Sequence, residues 1–207
     1  NEIKEKKIIL SNSQLKAFKQ IKNNFLNSNV VNLLGVTSSG KTEIYISLIV
    51  EYLKIGKSVL FLVPEIALTT QLVWRFKEFF NNELIVYHSS ISQNIRHEIW
   101  SELNSTNSPK IILGVRSSIF LPHKNLSLII VDEEHENSYK QFDPMPRYNA
   151  RDCAIFLSKF LNINCLLGSA TPSLETYNNS INNKFSLVEL KERYGKFLPP
   201  EIILIEP

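Results

Sequence analysis

The chain has 207 residues, of which 43% are hydrophobic and 21% are charged, with a formal net charge of +3. This length accommodates one sizeable domain with a full core, and the composition is ordinary for a globular protein. No apolar run approaches membrane-spanning length and no signal peptide is present, which favours a cytoplasmic protein with no membrane partner. The mildly basic charge permits a nucleic-acid partner without arguing for one.

We expect one domain over residues 11–198, preceded by a charged lead-in at residues 1–10 and followed by an exit linker at residues 199–207. The sequence does not begin with Met, so we expect the chain to be part of something longer. Cys153 and Cys165 have no C-x-x-C spacing and no clustered histidines around them, which indicates reduced core residues rather than a metal site.

Two kinds of apolar periodicity alternate along the chain. Short, almost wholly apolar runs predict strands at residues 30–34, 58–63, 84–87, 110–113, 126–131, 163–167 and 185–190. Apolar residues at helical spacing predict helices at residues 15–26, 43–53, 67–80, 92–103, 150–161 and 173–181. This alternation indicates an α/β fold of the doubly wound type, a parallel sheet with helices on both faces, whose ligands bind at the carboxyl ends of the strands.

Residues 35–42 have the pattern of a phosphate-binding loop, a glycine, four residues and then Gly-Lys-Thr. Backbone N–H groups of such a loop surround a phosphate, Lys41 would reach the β- and γ-phosphates, and Thr42 would hold Mg2+. The predicted strand before it and helix after it argue against the alternative, a chance glycine turn with an exposed lysine. The predicted nucleotide site comprises Gly35, Thr37, Ser38, Ser39, Gly40, Lys41 and Thr42.

Acidic residues follow the predicted strand at 126–131. Phosphoryl transfer needs a carboxylate for the Mg2+ shell and a second acid for the attacking water, and we assign Asp132 to the first role and Glu133 to the second. The three consecutive acids at 132–134 would repel one another without a cation. The alternative is a solvated acidic turn, which the phosphate loop upstream disfavours. With Lys41, these residues predict ATP hydrolysis.

Residues 168–172 follow another predicted strand, so they reach the same edge of the sheet. The hydroxyls of Ser169 and Thr171 could hydrogen-bond His135 or the acidic residues and shift when the γ-phosphate leaves. In isolation, however, this segment favours an ordinary strand-to-helix turn capped by Ser173.

Residues 137–152 interleave aromatic and basic side chains in an irregular, proline-containing segment. This pattern suits single-stranded nucleic acid, since bases stack on rings and phosphates pair with cations. The alternative is a loop folded onto its own small cluster, and composition does not decide between the two. The residues concerned are Tyr139, Lys140, Phe142, Arg147, Tyr148 and Arg151.

The motifs together resemble the first RecA-like lobe of the primosomal replication-restart helicases, which are superfamily 2 DEAH-like DNA helicases. The resemblance runs from about Ile8 to the C-terminus. Its most specific parts are Val-Pro-Glu-Ile-Ala-Leu-Thr and Arg-Tyr-x-Ala-Arg-Asp. The matching segments are 35–43, 63–69, 88–89, 114–117, 132–135, 139–141, 147–152 and 168–175.

The resemblance implies an ATP- and Mg2+-dependent 3′-to-5′ DNA translocase that reloads the replication machinery at stalled forks. Its partners would be forked and single-stranded DNA, replication-restart proteins and single-strand-binding protein. Gln14 would read adenine, although a surface helix glutamine is the alternative. Contacts to the DNA backbone would come from Thr69, Arg116 and Ser117. The family's aromatic-rich loop, which couples DNA binding to ATP turnover, would contact DNA through Tyr139, Phe142, Arg147, Tyr148 and Arg151. Coupling between the DNA site and the nucleotide site would come from His135, Ser169 and Thr171.

The chain departs from the family at Ser38, where a glycine is usual, and at Asn149, where a histidine is usual. The family also carries an N-terminal DNA-binding region, a zinc-binding insertion and a second RecA-like lobe outside these 207 residues. We therefore expect zinc only in the intact protein. Because the second lobe supplies the arginine finger, we expect the isolated chain to bind nucleotide weakly and hydrolyse almost none.

Other functions use the same motifs. A different superfamily 2 DNA translocase or an RNA helicase would differ in its preferred substrate. A non-helicase phosphate-loop ATPase, a nucleotide-sensing module or a kinase would not respond to DNA. A purely structural role for this lobe is a further alternative.

Overall fold

Parallel strands form the centre of the computed structural model, which describes residues 8–194. The strands in this part of the chain are β1 (Val30–Gly35), β2 (Ser58–Leu62), β3 (Leu84–Tyr87), β4 (Ile111–Gly114), β5 (Leu126–Asp132), β6 (Asn164–Ser169) and β7 (Ser186–Leu190). They form a seven-stranded sheet in the order β3-β4-β2-β5-β6-β1-β7, with every neighbouring pair parallel. The predicted parallel sheet is confirmed. The exit linker, most of the lead-in and the end of the expected domain lie outside the described residues.

Helices cover both faces of this sheet, as predicted. The helices of the described chain are α1 (Asn12–Asn24), α2 (Lys41–Lys54), α3 (Thr70–Phe80), α4 (Gln93–Ser105), α5 (Ala150–Phe160) and α6 (Leu174–Ile181). Helices α1, α2 and α3 bury apolar side chains against one face, together with Leu33 of β1. Helices α4 and α5 pack on the other face. Helix α6 joins them there, since its Ser180 accepts a hydrogen bond from Asn32, the strand neighbour of Leu33 on the opposite face.

The helix ends follow local side-chain chemistry. Helix α1 begins with a capping box between Ser11 and Gln14, and Gly56 adopts a φ of 75° just beyond α2, as a helix stop requires. The predicted start of the third helix at residue 67 is wrong. A short 3₁₀ turn covers Glu65–Ala67, and α3 starts only at Thr70 because the extended Thr69 caps it with its hydroxyl.

The strand order brings distant segments to one edge of the sheet. Strand β6 lies between β1 and β5, so residues 35–42, 132–135 and 168–172 leave the carboxyl ends of neighbouring strands. Strands β2 and β4 continue the sheet beyond β5, and the segments that follow them start at residues 63 and 115. The predicted nucleotide motifs therefore occupy one half of this edge and the predicted DNA contacts the other, with β5 between them.

Candidate active site

The phosphate loop connects β1 to α2, as its motif requires. Gly40 adopts a φ of 78°, and a Cβ atom there would lie 2.2 Å from the Gln14 Nε2 atom, so only glycine fits without a shift. Lys41 starts α2, with its Nζ atom 3.2 Å from a Glu133 carboxylate oxygen and 3.4 Å from the Gly35 carbonyl oxygen. The first N–H groups of a helix lack intrahelical partners and attract anions, so the predicted loop and its lysine are placed for a phosphate.

The remaining loop residues differ in exposure. Thr37 and Ser38 are exposed, Ser39 is buried, and Thr42 is half-buried in the first turn of α2. The Ser39 hydroxyl is a buried polar atom with no hydrogen-bond partner among the described residues. Such an atom is costly unless something satisfies it, so it is consistent with a loop that accepts a polar ligand.

Ser38 stands in the left-handed region, with a φ of 62°. We expect Ser38→Gly to stabilise the 207-residue chain by about 0.5–1 kcal/mol, because it relieves the Cβ strain at some cost in unfolded-state entropy. Urea unfolding would measure the difference. Ser38→Ala keeps the Cβ atom and should give no gain. Equal gains from both variants would assign the effect to the hydroxyl and contradict this explanation.

Gln14 is buried, so the surface-residue alternative for this position is wrong. Its Nε2 atom donates to the carbonyl oxygens of Ser39 (3.1 Å) and Gly40 (3.3 Å), while its Oε1 atom accepts from the Ser11 N–H (2.8 Å). The side chain thus joins the start of α1 to the phosphate loop. Its adenine-reading role stays a prediction, and it requires the amide to exchange these partners.

Asp132 ends β5 beside α2. The Tyr45 hydroxyl donates to its Oδ1 atom (2.9 Å). Burial, followed by the charge of Glu133, raises the pKa of Asp132 to about 6, against the lowering effects of Tyr45 and Lys41. A nearby cation would stabilise the ionised form of such a carboxyl group, which fits the assignment of Asp132 to Mg2+.

Tyr45 also contributes to the candidate active site, although the sequence motifs do not include it. It lies one helical turn after Lys41 on the sheet-facing side of α2, a spacing that could have indicated it. Its hydroxyl occupies space left by Gly168, where a Cβ atom would lie 1.8 Å away. Its ring is fully buried with its centroid 5.5 Å from that of Phe61. Tyr45 therefore holds the Asp132 carboxylate from a rigid position.

We expect Tyr45→Phe to raise the Mg2+ concentration for half-maximal ATP turnover by about 10-fold, because a residue that orients a metal ligand typically contributes that much. Titration of Mg2+ into the full-length protein would measure it. Tyr52→Phe is the matched control, since the Tyr52 hydroxyl accepts from Asn164 near the other end of α2. An unchanged Mg2+ requirement in Tyr45→Phe would remove this positioning role.

Glu134 does not belong to the acidic group that faces the nucleotide site, which corrects the expectation of three mutually repelling acids. Its side chain is fully buried and accepts hydrogen bonds from the Ser173 N–H (2.7 Å) and from Arg151 (3.1 Å). The chain turns at Glu133, whose φ is 46°, so successive side chains do not continue the alternation of the strand. Asp132 and Glu133 thus remain as the acids of the site.

The predicted coupling residues are partly brought together. The His135 Nδ1 atom lies 2.8 Å from the Ser169 hydroxyl, which also accepts from the Thr171 N–H (2.9 Å). The same His135 nitrogen lies 3.7 Å from Glu133. The Thr171 side chain is exposed, and its contact with Ser169 is made by its backbone N–H. Coupling by these groups stays a prediction.

Several predicted DNA contacts lie at the surface. Thr69 and Arg147 are exposed, and Arg116 and Ser117 are half-buried. Phe142 is 60% exposed, with the Lys140 Nζ atom 4.7 Å from its ring centroid. These side chains remain candidates for DNA.

The inner residues of the predicted aromatic-rich loop have other roles. Tyr148 is half-buried with its ring packed edge-on against Phe120 at 4.7 Å. Tyr139 is fully buried, and its hydroxyl lies 2.6 Å from the Asp132 carbonyl oxygen and 3.0 Å from that of Leu62. The prediction that this ring contacts DNA by stacking on bases is therefore wrong. The Arg151 side chain is 11% exposed and pairs with Glu134, which corrects its assignment as a DNA contact.

The described residues also bear on metal binding and on membrane crossing. Between residues 8 and 194, no three His, Cys, Asp or Glu side chains are placed to hold a metal ion together. Mg2+ bound to a nucleotide needs only one or two carboxylates, because phosphates and waters complete its shell. None of the helices in residues 8–194 has the length and apolar character needed to cross a membrane.

By sequence, the chain is similar to replication proteins that are much longer than it is. It is 49% identical over 193 residues to replication restart protein PriA of Haemophilus influenzae, covering 92% of this chain and 26% of that protein. It is 43% identical to PriA of Bacillus subtilis, covering 84% of this chain and 21% of that protein. The chain thus spans about a quarter of the length of these relatives. The resemblance to replication-restart helicases is confirmed.

Solved structures share the fold at low sequence identity. RecG bound to a three-way DNA junction has a TM-score of 0.63 and 22% identity, over 96% of this chain and 25% of that one. The Hef helicase domain of Pyrococcus furiosus has a TM-score of 0.58 and 21% identity, over 88% of this chain and 39% of that one. The DEAD/DEAH box helicase family matches residues 11–180. With Lys41, Asp132 and Glu133 placed together at the carboxyl edge of a parallel sheet, the chain belongs to the DEAD/DEAH box helicase family.

Proposed function

We propose that this chain is the ATP-binding, first RecA-like lobe of a superfamily 2 3′-to-5′ DNA helicase that unwinds forked DNA and restarts stalled replication by primosome assembly. The observation that carries the ATP-binding part is that Lys41, which follows β1, lies beside Asp132 and Glu133 at the end of β5. Similarity to PriA from several bacteria supports the replication part. Replication-restart proteins and single-strand-binding protein are the protein partners that we propose, and the cytoplasm is the proposed location.

The residues present fit Mg2+ and ATP. Thr42 and Asp132 would hold Mg2+, which neutralises phosphate charge when bound. Lys41 would exchange its ion pair with Glu133 for the β- and γ-phosphates. That exchange would leave the Glu133 carboxylate available to orient water and accept its proton. The Lys41–Glu133 ion pair therefore connects nucleotide binding with the release of the general base.

The other half of the edge would carry DNA. The segments after β2, β4 and β5 place Thr69, Arg116 and Phe142 on the side of the sheet edge away from the phosphate loop. Cations would pair with the DNA backbone and the exposed ring would stack on bases. Strand β5 ends at Asp132, between the DNA half and the nucleotide half of the edge. A movement of the DNA-contacting segments could therefore be transmitted to the nucleotide site through the end of β5. Zinc is proposed for the parent protein outside this chain.

ATP turnover by the full-length protein, with and without forked DNA, tests this function. We expect forked DNA to stimulate turnover strongly and an RNA duplex to compete poorly. Preferential stimulation by RNA would indicate an RNA helicase instead. Turnover that is indifferent to any nucleic acid would leave a phosphate-loop ATPase or kinase and overturn the proposal.

A further inference from the structure

Glu134 forms a polar junction beneath the active site. Its Oε1 atom accepts from the Ser173 N–H (2.7 Å), and its Oε2 atom accepts from Thr176 Oγ1 (2.9 Å), Ser173 Oγ (3.1 Å) and Arg151 (3.1 Å). Arg151 also donates to Ser173 Oγ (2.8 Å). A buried carboxylate is tolerated only with such a set of donors and a cation. The junction therefore fixes the chain after β5 to the starts of α5 and α6.

The junction also fixes the residues on either side of Glu134. Glu133 has a left-handed backbone, which costs free energy and persists only where surrounding contacts determine it. The Glu134 N–H donates to the Gly168 carbonyl oxygen (3.1 Å), and its side chain contacts the first turn of α6. Residues 168–173, which include the Ser169 partner of His135, are therefore held against the active-site turn. A shift of Glu134 would move both Glu133, the proposed general base, and Ser169.

A continuous series of contacts joins the junction to the loop at residues 140–149, which we call the aromatic loop. Lys140 and Asn149 pair through their backbones at its base, and the Gln141 N–H donates to the Tyr148 carbonyl oxygen (2.8 Å). The Asn149 side chain accepts from the Arg151 N–H (3.0 Å) and caps α5. Displacement of the loop base would therefore move Arg151, whose guanidinium ends on Glu134.

We propose that Glu134 and Arg151 are positioning residues through which the aromatic loop, when it contacts DNA, sets the geometry of Glu133 and of the Ser169–His135 contact. This inference rests on the proposed function and adds to it the residues that transmit the signal. In this role neither residue needs to contact DNA or nucleotide. Arg151 transmits movement of the loop base, and Glu134 converts it into movement of the active-site turn.

Two substitutions break the junction in different ways. Glu134→Gln keeps the side-chain shape but places an amide NH2 group, which is a donor, opposite other donors. Arg151 cannot compensate, because a guanidinium group has no acceptor. Arg151→Lys keeps the charge, but its shorter side chain lacks the guanidinium group that contacts Glu134 and Ser173. Asp152→Asn is the matched control, because Asp152 is exposed and contacts Arg151 on the side away from Glu134. If Glu134→Gln fails to fold by thermal melting, Arg151→Lys decides the test alone.

The experiment measures ATP turnover of the full-length protein without DNA and at saturating forked DNA, together with DNA affinity by fluorescence anisotropy. We expect both junction variants to lower the ratio of stimulated to unstimulated turnover by about 10-fold. Their DNA affinity should stay close to that of the unaltered protein, a separation that mere loss of structure would not produce. Asp152→Asn should retain the full stimulation.

Other results would overturn the inference. Full stimulation in both junction variants would show that the contacts are only structural. Weaker DNA binding by Arg151→Lys, with normal stimulation once DNA saturates, would make Arg151 a DNA contact. An unaltered protein without any DNA stimulation would overturn the proposed function and this inference together, whereas loss of the inference alone leaves stimulation intact.

Discussion

Replacement of Lys41 by alanine should reduce DNA-stimulated ATP turnover of the full-length protein by about 100- to 1,000-fold, the usual cost of a preorganised donor at the reacting group. Lys41 is the cation placed at the start of α2, and its Nζ atom is already within 3.2 Å of Glu133. Without it, the developing charge on the γ-phosphate loses the cation that the phosphate loop supplies. Steady-state turnover, together with binding of a fluorescent nucleotide, would measure the effect.

Lys57→Ala provides the control for this prediction, because Lys57 is an exposed lysine just after the far end of α2. We expect it to retain normal turnover. Substantial turnover by Lys41→Ala, with nucleotide affinity also retained, would contradict the placement of the phosphates against this lysine.

Glu133→Gln should lower turnover by about 100- to 10,000-fold, the range for loss of a general base, while leaving nucleotide bound. The amide keeps the shape of the side chain but cannot accept a proton from water. It also releases Lys41 from its ion pair, so nucleotide affinity should hold or increase. Turnover and nucleotide binding measured on the same preparation would separate the two effects.

Glu136→Gln is the matched control, since Glu136 lies three residues further on, 3.9 Å from the outer nitrogen of His135. This variant should retain most of the activity. A parallel fall in turnover and nucleotide affinity in Glu133→Gln would instead indicate a binding role for Glu133 and remove it as the residue that activates water.

The fold and the central residues of the site could be predicted from the sequence, because their signals are local. An apolar run followed by Gly-x4-Gly-Lys-Thr determines where β1 ends and α2 begins. The end of β5 likewise brings Asp132 to the edge of the sheet. Parallel strands separated by helices then bring these segments together, whatever their distance along the chain.

The directions of other side chains could not be predicted, because they depend on backbone turns and on tertiary partners. The left-handed Glu133 reverses the strand alternation, so Glu134 enters the core instead of joining the acids. Its partners, Arg151 and Ser173, come from distant positions in the sequence. Tyr139 and Phe142 are both aromatic residues of the same irregular segment, so the sequence does not distinguish them. In the fold, the Tyr139 ring is buried and the Phe142 ring is exposed.

The most direct test of the account is unwinding of forked DNA by the full-length protein, followed as release of a labelled strand in the presence of Mg2+ and ATP. We predict release from forks with a 3′ single-stranded arm, and none from the same protein carrying Lys41→Ala. Release that occurs equally without ATP, or in the Lys41→Ala protein, would contradict an ATP-driven DNA helicase built around this site.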